Sequence, residues 1–497
     1  MILERLAELA ARQPQLPALQ DAHGQLSYAV LHAAVTSTAT VLKNAGIRTL
    51  GLLLDNSPAW VIMDLAAQHA GICAVPLPTF FSREQAAHAI RDAGIDALCT
   101  DNERADGWQD FAPQSSPVPN TVLLQRTCPA TTGVFPEGTA KVTFTSGTTG
   151  QPKGVCLGAA AMNSVAESIV TSTSGLGIER HLCLLPLALL LENITGVYAP
   201  LLAGACTILP SSRERGLQGS QQLEIGQLFA CLQTWQPHSL VLVPQMLKAL
   251  VIAASQGMPL PECLRFVAVG GARVSPELLA EARAAGIPVY EGYGLSECSS
   301  VVTLNRPGED HPGSVGKPLP HARLRIAADG EIHVSGATLL GYAGQPPQAD
   351  SWYATGDLGF IDADGFLHLT GRRRNVFITA YGRNVNPEWP ESELSRFAQI
   401  TQAVVFGEDR ENNVAIIQPA AATIPDATIN ACVAAANELL PDYARIHQWL
   451  RTDAEFSSAN GLLTATGKPR RDAVWTHYRS RFEPAAGEPM QNIRKTG

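Results

Sequence analysis

The stretch Val142-Thr-Phe-Thr-Ser-Gly-Thr-Thr-Gly-Gln-Pro-Lys-Gly-Val155 decides how this chain is read. A β-rich run, 142–145, feeds directly into a loop with three glycines, four hydroxyl side chains and Lys153. Glycines let backbone N–H groups approach phosphate oxygens, hydroxyls add donors, and the lysine adds a point charge. The order differs from G-x-x-x-x-G-K-[ST], so this is not a Walker A loop, and an ordinary flexible turn is the bland alternative. Outward from it, apolar runs of strand length recur at 50–54, 122–124, 182–185, 240–243 and 266–269. Helix-period segments at 58–70, 83–93 and 276–285 lie among them. Such alternation predicts an α/β fold of parallel-rich sheets covered on both faces. Over 313–370 the texture changes to short alternating strands with turns at Asp329-Gly330 and Asp364-Gly365. After 371 it changes again, to an α+β tail with an expected hairpin, 403–406 against 414–417. The expected organisation is a large N-terminal body, 1–371, of two parallel-rich α/β sheets plus a β-rich subdomain at about 313–370, then a small α+β C-terminal domain, 372–497.

Composition narrows the function. The chain has 497 residues, 45% hydrophobic and 16% charged, which suits several packed cores and excludes disorder as the main state. A net charge of −9 argues against a nucleic-acid binder. That total is uneven: 1–371 carries −10 and 372–497 carries +1, with Arg372-Arg373-Arg374, Arg383 and Lys468-Pro469-Arg470-Arg471 in the tail. Those runs read either as a solvated basic surface or as a tail that closes over a polyphosphate. Ten cysteines never form a C-x-x-C pair, which fits small hydrophobes in a reducing cytoplasm better than a disulfide scaffold or zinc ribbon. The N-terminus reads as an amphipathic helix with acidic residues, not a signal peptide. Within 182–209 the apolar runs are about ten residues each, short of the roughly 20 needed to span a bilayer, so no transmembrane segment is expected.

The loop resembles the T-S-G-T-T-G-x-P-K-G signature of the adenylate-forming superfamily of acyl-CoA synthetases, adenylation domains and luciferases. Seven further matches follow in register. They are Ala70-Gly-Ile-Cys-Ala-Val-Pro-Leu77, Gly270-Gly271-Ala272, Tyr293-Gly-Leu-Ser-Glu297, Gly330-Glu331 to Gly341-Tyr342, Tyr353-Ala-Thr-Gly-Asp357, Gly371-Arg372 and Thr466-Gly-Lys468. The resemblance implies an ATP site of Thr145, Ser146, Gly147, Thr148, Thr149, Gly271, Ala272, Gly292, Tyr293, Gly294, Ser296, Glu297, Asp357 and Arg372. Tyr293 would stack on adenine and Ser296 would reach the α-phosphate. Asp357 would accept from both ribose hydroxyls with help from Arg372. Thr145 and Glu297 would hold Mg²⁺, Glu297 being a hard oxygen ligand. Lys468 and Lys153 are the implied catalytic lysines, with Lys468 stabilising charge as a carboxylate attacks the α-phosphate. The implied reaction makes an acyl-adenylate from ATP, then passes the acyl group to CoA. The resemblance also implies a small domain that moves about a hinge near Arg374. Gly382 matches a glycine flanking the thiol path, where Tyr381 replaces the usual first glycine of the pair.

For the acid, Leu185-Pro-Leu-Ala-Leu-Leu-Leu-Glu192 resembles a fatty acyl-CoA synthetase motif, with Leu189 where an aromatic or His is common. Leu189, Leu190 and Gly270 are the expected substrate-pocket residues, aliphatic lining being suited to an acyl chain. The ending Phe456-Ser-Ser-Ala-Asn-Gly-Leu-Leu-Thr-Ala-Thr-Gly-Lys468 is similar to that of long-chain acyl-CoA synthetases, with Ala465 where Pro is usual. The expectation is activation of a medium- or long-chain fatty acid. A carrier-protein acceptor in place of CoA stays open. So does a catalytically silent adenylate- or acyl-binding protein, although the intact Lys153, Glu297, Asp357 and Lys468 weigh against it.

Overall fold

The computed structural model describes residues 1–127, 133–145, 153–218, 222–380, 383–464, 467–482 and 494–495. The elements that position the site are, in chain order, β1 (Thr139–Thr145), β2 (Lys153–Gly158), α1 (Pro244–Ser255), β3 (Phe266–Val269), α2 (Pro276–Ala284), β4 (Val289–Leu295), β5 (Tyr353–Ile361), β6 (Leu367–Arg372) and α3 (Glu388–Ser395).

Among the described residues, two large sheets build the body. In the nine-stranded one, β4, β3, Ser239–Leu242, Arg180–Leu182, Cys206–Ile208 and Pro17–Asp21 are parallel, with antiparallel strands at both edges. In the eight-stranded one, β1, Cys73–Pro76, Thr49–Leu53 and Ala97–Thr100 are parallel, and β2 folds back antiparallel on β1. Thr49–Leu53 is buried along its whole length, as a strand covered on both faces must be. The helices begin and end where their caps dictate. Helix Pro58–Ala70 starts with Ser57 accepting from Trp60 N, carries Pro at its first turn, and stops at left-handed Gly71. The first helix, Ile2–Arg12, buries Ile2, Leu6 and Leu9 on one face, as its amphipathic pattern predicts. No helix among the described residues is long and apolar enough to cross a membrane.

Ala322–Ile326, Glu331–Gly336, β5 and β6 form a four-stranded antiparallel sheet. Its Asp-Gly turns carry Gly330 and Gly365 at φ +85° and +86°, which a residue with a Cβ adopts only under strain. This unit is more interwoven than its sequence reads. Lys317–Pro318 pairs into the nine-stranded sheet, and Gly341–Tyr342 pairs with β2. The tail holds the expected hairpin, with Ala403 opposite Ile417 and Phe406 opposite Val414.

One strand needs correcting. The apolar run 182–185 was expected to be a strand, but the strand is Arg180–Leu182. Distant side chains capture the backbone beyond it. Asn56 Nδ2 donates to Cys183 O and Leu185 O at 3.3 and 2.9 Å, and Leu185 N donates to Glu192 Oε2 at 3.2 Å. Beyond Cys183, whose N still donates to Ile208 O at 3.0 Å, these bonds replace the ladder and the chain turns away towards Leu189 and Leu190.

Candidate active site

A cavity of about 2440 Å³ opens between the body and the C-terminal lobe. It is lined by Thr145, Lys153, Leu189, Leu190, Gly270, Gly271, Ala272, Gly292, Tyr293, Gly294, Ser296, Glu297, Asp357, Arg372 and Lys468. Ser146, Gly147, Thr148, Thr149 and Gly382 lie outside the described residues, as do Tyr381, Ala465 and Thr466.

The β1–β2 hairpin brings the two ends of the glycine-rich loop together, with Thr145 directly opposite Lys153. Lys153 Nζ stands 5.7 Å from the centre of the Tyr342 ring, a cation–π arrangement. Tyr342 OH donates to Glu297 Oε1 at 3.2 Å and lies 3.0 Å from Tyr353 OH. Burial, more than any neighbour, pushes the Tyr342 phenol up to about 12, so it stays a neutral donor to Glu297 at neutral pH. The sequence motifs contain both tyrosines without revealing that they orient this carboxylate. Thr145 and Glu297 offer hard oxygens to one cavity, a donor set that suits Mg²⁺.

A second cluster hangs on the β5–β6 ladder, where Asp357 and Arg372 are cross-strand partners. Arg372 Nε donates to Asp357 Oδ1 at 2.8 Å and Tyr293 OH donates to Oδ2 at 2.7 Å. Each carboxylate oxygen keeps a further lone pair for a ligand hydroxyl. Burial opposes charge on Arg372, but Asp357 and then Glu388 outweigh it and raise the guanidinium's pKa. Tyr293 is only 8% exposed, so its main visible work is holding Asp357 while its ring borders the cavity. All three arginines of the run line the cavity, and Arg373 is also paired with Glu331 at 2.9 Å.

Backbone glycines form the third wall. Gly270 N donates to Leu242 O at 3.1 Å, and Gly271 sits at φ +80°. Gly294 has no room for a side chain, since a Cβ would lie 1.6 Å from Ser300 O. Lys468 reaches this wall from the other lobe, its Nζ donating to Gly271 O at 3.0 Å. A tight turn presents it, closed by Lys468 N to Thr464 Oγ1 at 3.0 Å and Thr464 N to Lys468 O at 2.8 Å. The residue stands in the open cleft with solvent access. Crowding by the protein, and secondarily Arg372, lowers its pKa.

The apolar part of the lining includes Ile169, Ile178, Leu189, Leu190, Ala199 and Ala203. Glu192, which closes the leucine motif, is fully buried outside this lining and is spent on Leu185 N and on His181 Nε2 at 3.4 Å. It is therefore a structural acid, not a substrate ligand.

The lobe interface is rich in titratable groups that the sequence reading did not single out. Lys248 on α1 donates to Ser395 O and Ile400 O at 2.7 and 2.9 Å, and to Phe397 O, capping the end of α3. Glu277 on α2 meets Glu393 on α3, and the Oε2 atoms of both are buried without a donor. A proton shared between the two carboxyls would satisfy both. Burial first, then Glu277, pushes Glu393 up to about 7; Arg396 and Arg273 pull it back. Glu291, behind Arg273, is raised by burial to about 8. Acids that are protonated more readily in the docked fold stabilise it fully below their unfolded pKa, and that stabilisation is lost as pH rises through the folded value. The thermal midpoint should therefore fall between about pH 5 and 8. Glu393→Gln should flatten that part of the profile, raising the midpoint at pH 8 by a few degrees relative to wild type. Melting curves of both proteins across the range check this; Lys248, lowered by burial to about 8, titrates above the window.

Comparison with known proteins agrees with this geometry. The AMP-binding enzyme family model matches residues 6–342, and the AMP-binding enzyme C-terminal domain matches 374–485. Long-chain-fatty-acid–CoA ligase FadD15 of Mycobacterium bovis is 36% identical over 248 residues, 44% of this chain and 41% of that protein, so the match spans under half of the relative. A 2-succinylbenzoate–CoA ligase of Bacillus velezensis is 28% identical over 433 residues, covering 81% of this chain and 84% of the relative. The structure of the anthranilate CoA ligase AuaEII, in complex with anthranoyl-AMP, shares the fold at a TM-score of 0.80 and 20% identity, covering 97% of this chain and 98% of that one. The chain belongs to the AMP-binding enzyme family, in the company of proteins named as acid–CoA ligases.

Proposed function

We propose that this protein activates an apolar carboxylic acid, a medium- or long-chain fatty acid, with ATP and transfers the acyl group to CoA. The carboxylate oxygen bonds to the α-phosphorus, pyrophosphate leaves, and the acyl-adenylate is then attacked by the CoA thiol with loss of AMP. The observation that supports this most is that Lys468, the Asp357–Arg372 pair and apolar side chains such as Leu189 and Leu190 line one cavity. Asp357 takes the ribose hydroxyls, with Tyr293 and Arg372 holding its two oxygens in place. The glycine wall at Gly270 and Gly271 lets the acid and the nucleotide lie close to backbone. Thr145 and Glu297 would hold Mg²⁺, which screens phosphate charge when bound. Lys468 meets the negative charge that grows as the carboxylate attacks, and its donor to Gly271 O exchanges for substrate oxygens.

The exhaustion of Glu192 supports an apolar acid over an amino acid, because the leucine motif has no other carboxylate to take an amine. Incubation with ATP, Mg²⁺, decanoate or palmitate, and CoA should yield AMP and acyl-CoA. A product formed only when a phosphopantetheinylated carrier protein replaces CoA would overturn the CoA assignment.

A further inference from the structure

A second cluster lies away from this cavity, where the loop between Ser300–Leu304 and Lys317–Pro318 meets the β5–β6 turn. His311 comes from the loop, Asp362 from just after β5, and His368 from β6. His368 Nε2 is 2.8 Å and His311 Nδ1 3.3 Å from the same atom, Asp362 Oδ2. One ligand atom from each of the three lies within 4.8 Å of the others.

The rings are held in place. His368 Nδ1 is 3.2 Å from Gly313 O, and since a carbonyl only accepts, Nδ1 carries a hydrogen there; Nε2 faces Asp362, where a bound metal would take the place of the proton that Nε2 shares with that carboxylate. Histidines that bind metals are oriented in this way, through a carbonyl on the far nitrogen. Phe360, the cross-strand partner of His368, stacks on its ring at 4.8 Å and 7°. Phe366 packs against His311 at 5.3 Å. Asp362 is fixed through its other oxygen, Oδ1, which accepts from Asp364 N and Phe366 N. The neighbouring cation, Lys317, lies over Phe366 and pairs with Glu309 at 3.4 Å. His311 is exposed, so an ion has a path in and water can complete its coordination.

The other grouping of this kind among the described residues, His181, Cys183 and Glu192, differs in one respect. A Cβ on Gly196 would lie 2.5 Å from Glu192 Oε1, 2.8 Å from Cys183 Sγ and 3.1 Å from His181 Nε2. Helix backbone thus fills the space between those donors.

We propose that His311, Asp362 and His368 bind a divalent transition ion, with zinc the best match to two imidazoles, one carboxylate and a water. The ion would staple the loop to the end of the β5–β6 ladder opposite Asp357 and Arg372, as a structural site separate from the chemistry. The test uses tag-free full-length protein, stripped with chelator and titrated with zinc chloride in excess Mg²⁺. One zinc per chain should bind at micromolar concentration or below and raise the thermal midpoint. His368→Gln and Asp362→Asn should weaken it by more than about 100-fold, as loss of a ligand does. Cys183→Ser should leave it unchanged. Cobalt in place of zinc should give tetrahedral visible bands without a thiolate charge-transfer band, a signature that does not depend on how stable the variants are. Binding only at millimolar zinc, binding unchanged in both ligand variants, or a thiolate band would overturn the proposal.

Discussion

Replacing Lys468 with alanine is expected to slow acid-dependent adenylation by about 100–1,000-fold while ATP still binds. The ammonium is the cationic group that the C-terminal lobe projects onto the glycine wall, and its bond there is to a backbone carbonyl, Gly271 O. A carbonyl is a modest partner for a cation, so the lysine is available to a stronger one when phosphate and carboxylate oxygens enter. The loss should fall on kcat, because the interaction strengthens as charge moves onto the phosphate in the transition state. Lys468→Arg keeps the charge but replaces a point donor with a planar fork, and should recover only part of the rate. Pyrophosphate-exchange rates and ATP affinities of the three proteins check this. Equal losses in ATP affinity and rate would instead make Lys468 a simple nucleotide anchor.

Asp357→Ala should lower kcat/KM for ATP by on the order of 100-fold, because two hydrogen bonds from ribose hydroxyls to a charged acceptor are worth about 3 kcal/mol together. The same change should destabilise the protein by about 1–3 kcal/mol, since it leaves the buried Tyr293 hydroxyl without its acceptor. Asp357→Asn separates the two effects. Its amide oxygen can still accept from Tyr293, so stability should largely return, while one acceptor oxygen becomes a donor that faces Arg372 and the ribose. Thermal melts beside ATP-dependent kinetics distinguish these outcomes.

The parts of this account that were legible in the sequence are those whose physics is local. The Asp-Gly turns of the four-stranded sheet need a positive φ at Gly330 and Gly365. Ser57 and Gly71 bracket helix Pro58–Ala70 through bonds no more than four residues long. The strand at 182–185 was misjudged because Asn56, more than a hundred residues earlier, takes its carbonyls. Glu192, which the sequence shows only as the end of the leucine motif, is a buried backbone partner of Leu185. The facing of Glu277 and Glu393, and the reach of Lys248 to the end of α3, depend on how segments more than a hundred residues apart in the chain meet. No spacing along the chain encodes that meeting.

The reading of Asp357 and Arg372 shows both sides. Their motifs marked each as a ribose ligand, and the β5–β6 register places them opposite one another. Tyr293 was marked for its ring, whereas the structure shows its hydroxyl fastening Asp357. The motif singled out Tyr293, and tertiary packing decided that its hydroxyl is bonded to Asp357.

The central claim, acid activation through an acyl-adenylate, is tested most directly by exchange of labelled pyrophosphate into ATP in the presence of straight-chain acids of graded length. The account predicts exchange that requires the acid, is greatest for a medium or long chain, and is lost in Lys468→Ala. No exchange above the acid-free background with any acid, or release of ADP and phosphate in place of AMP and pyrophosphate, would contradict it.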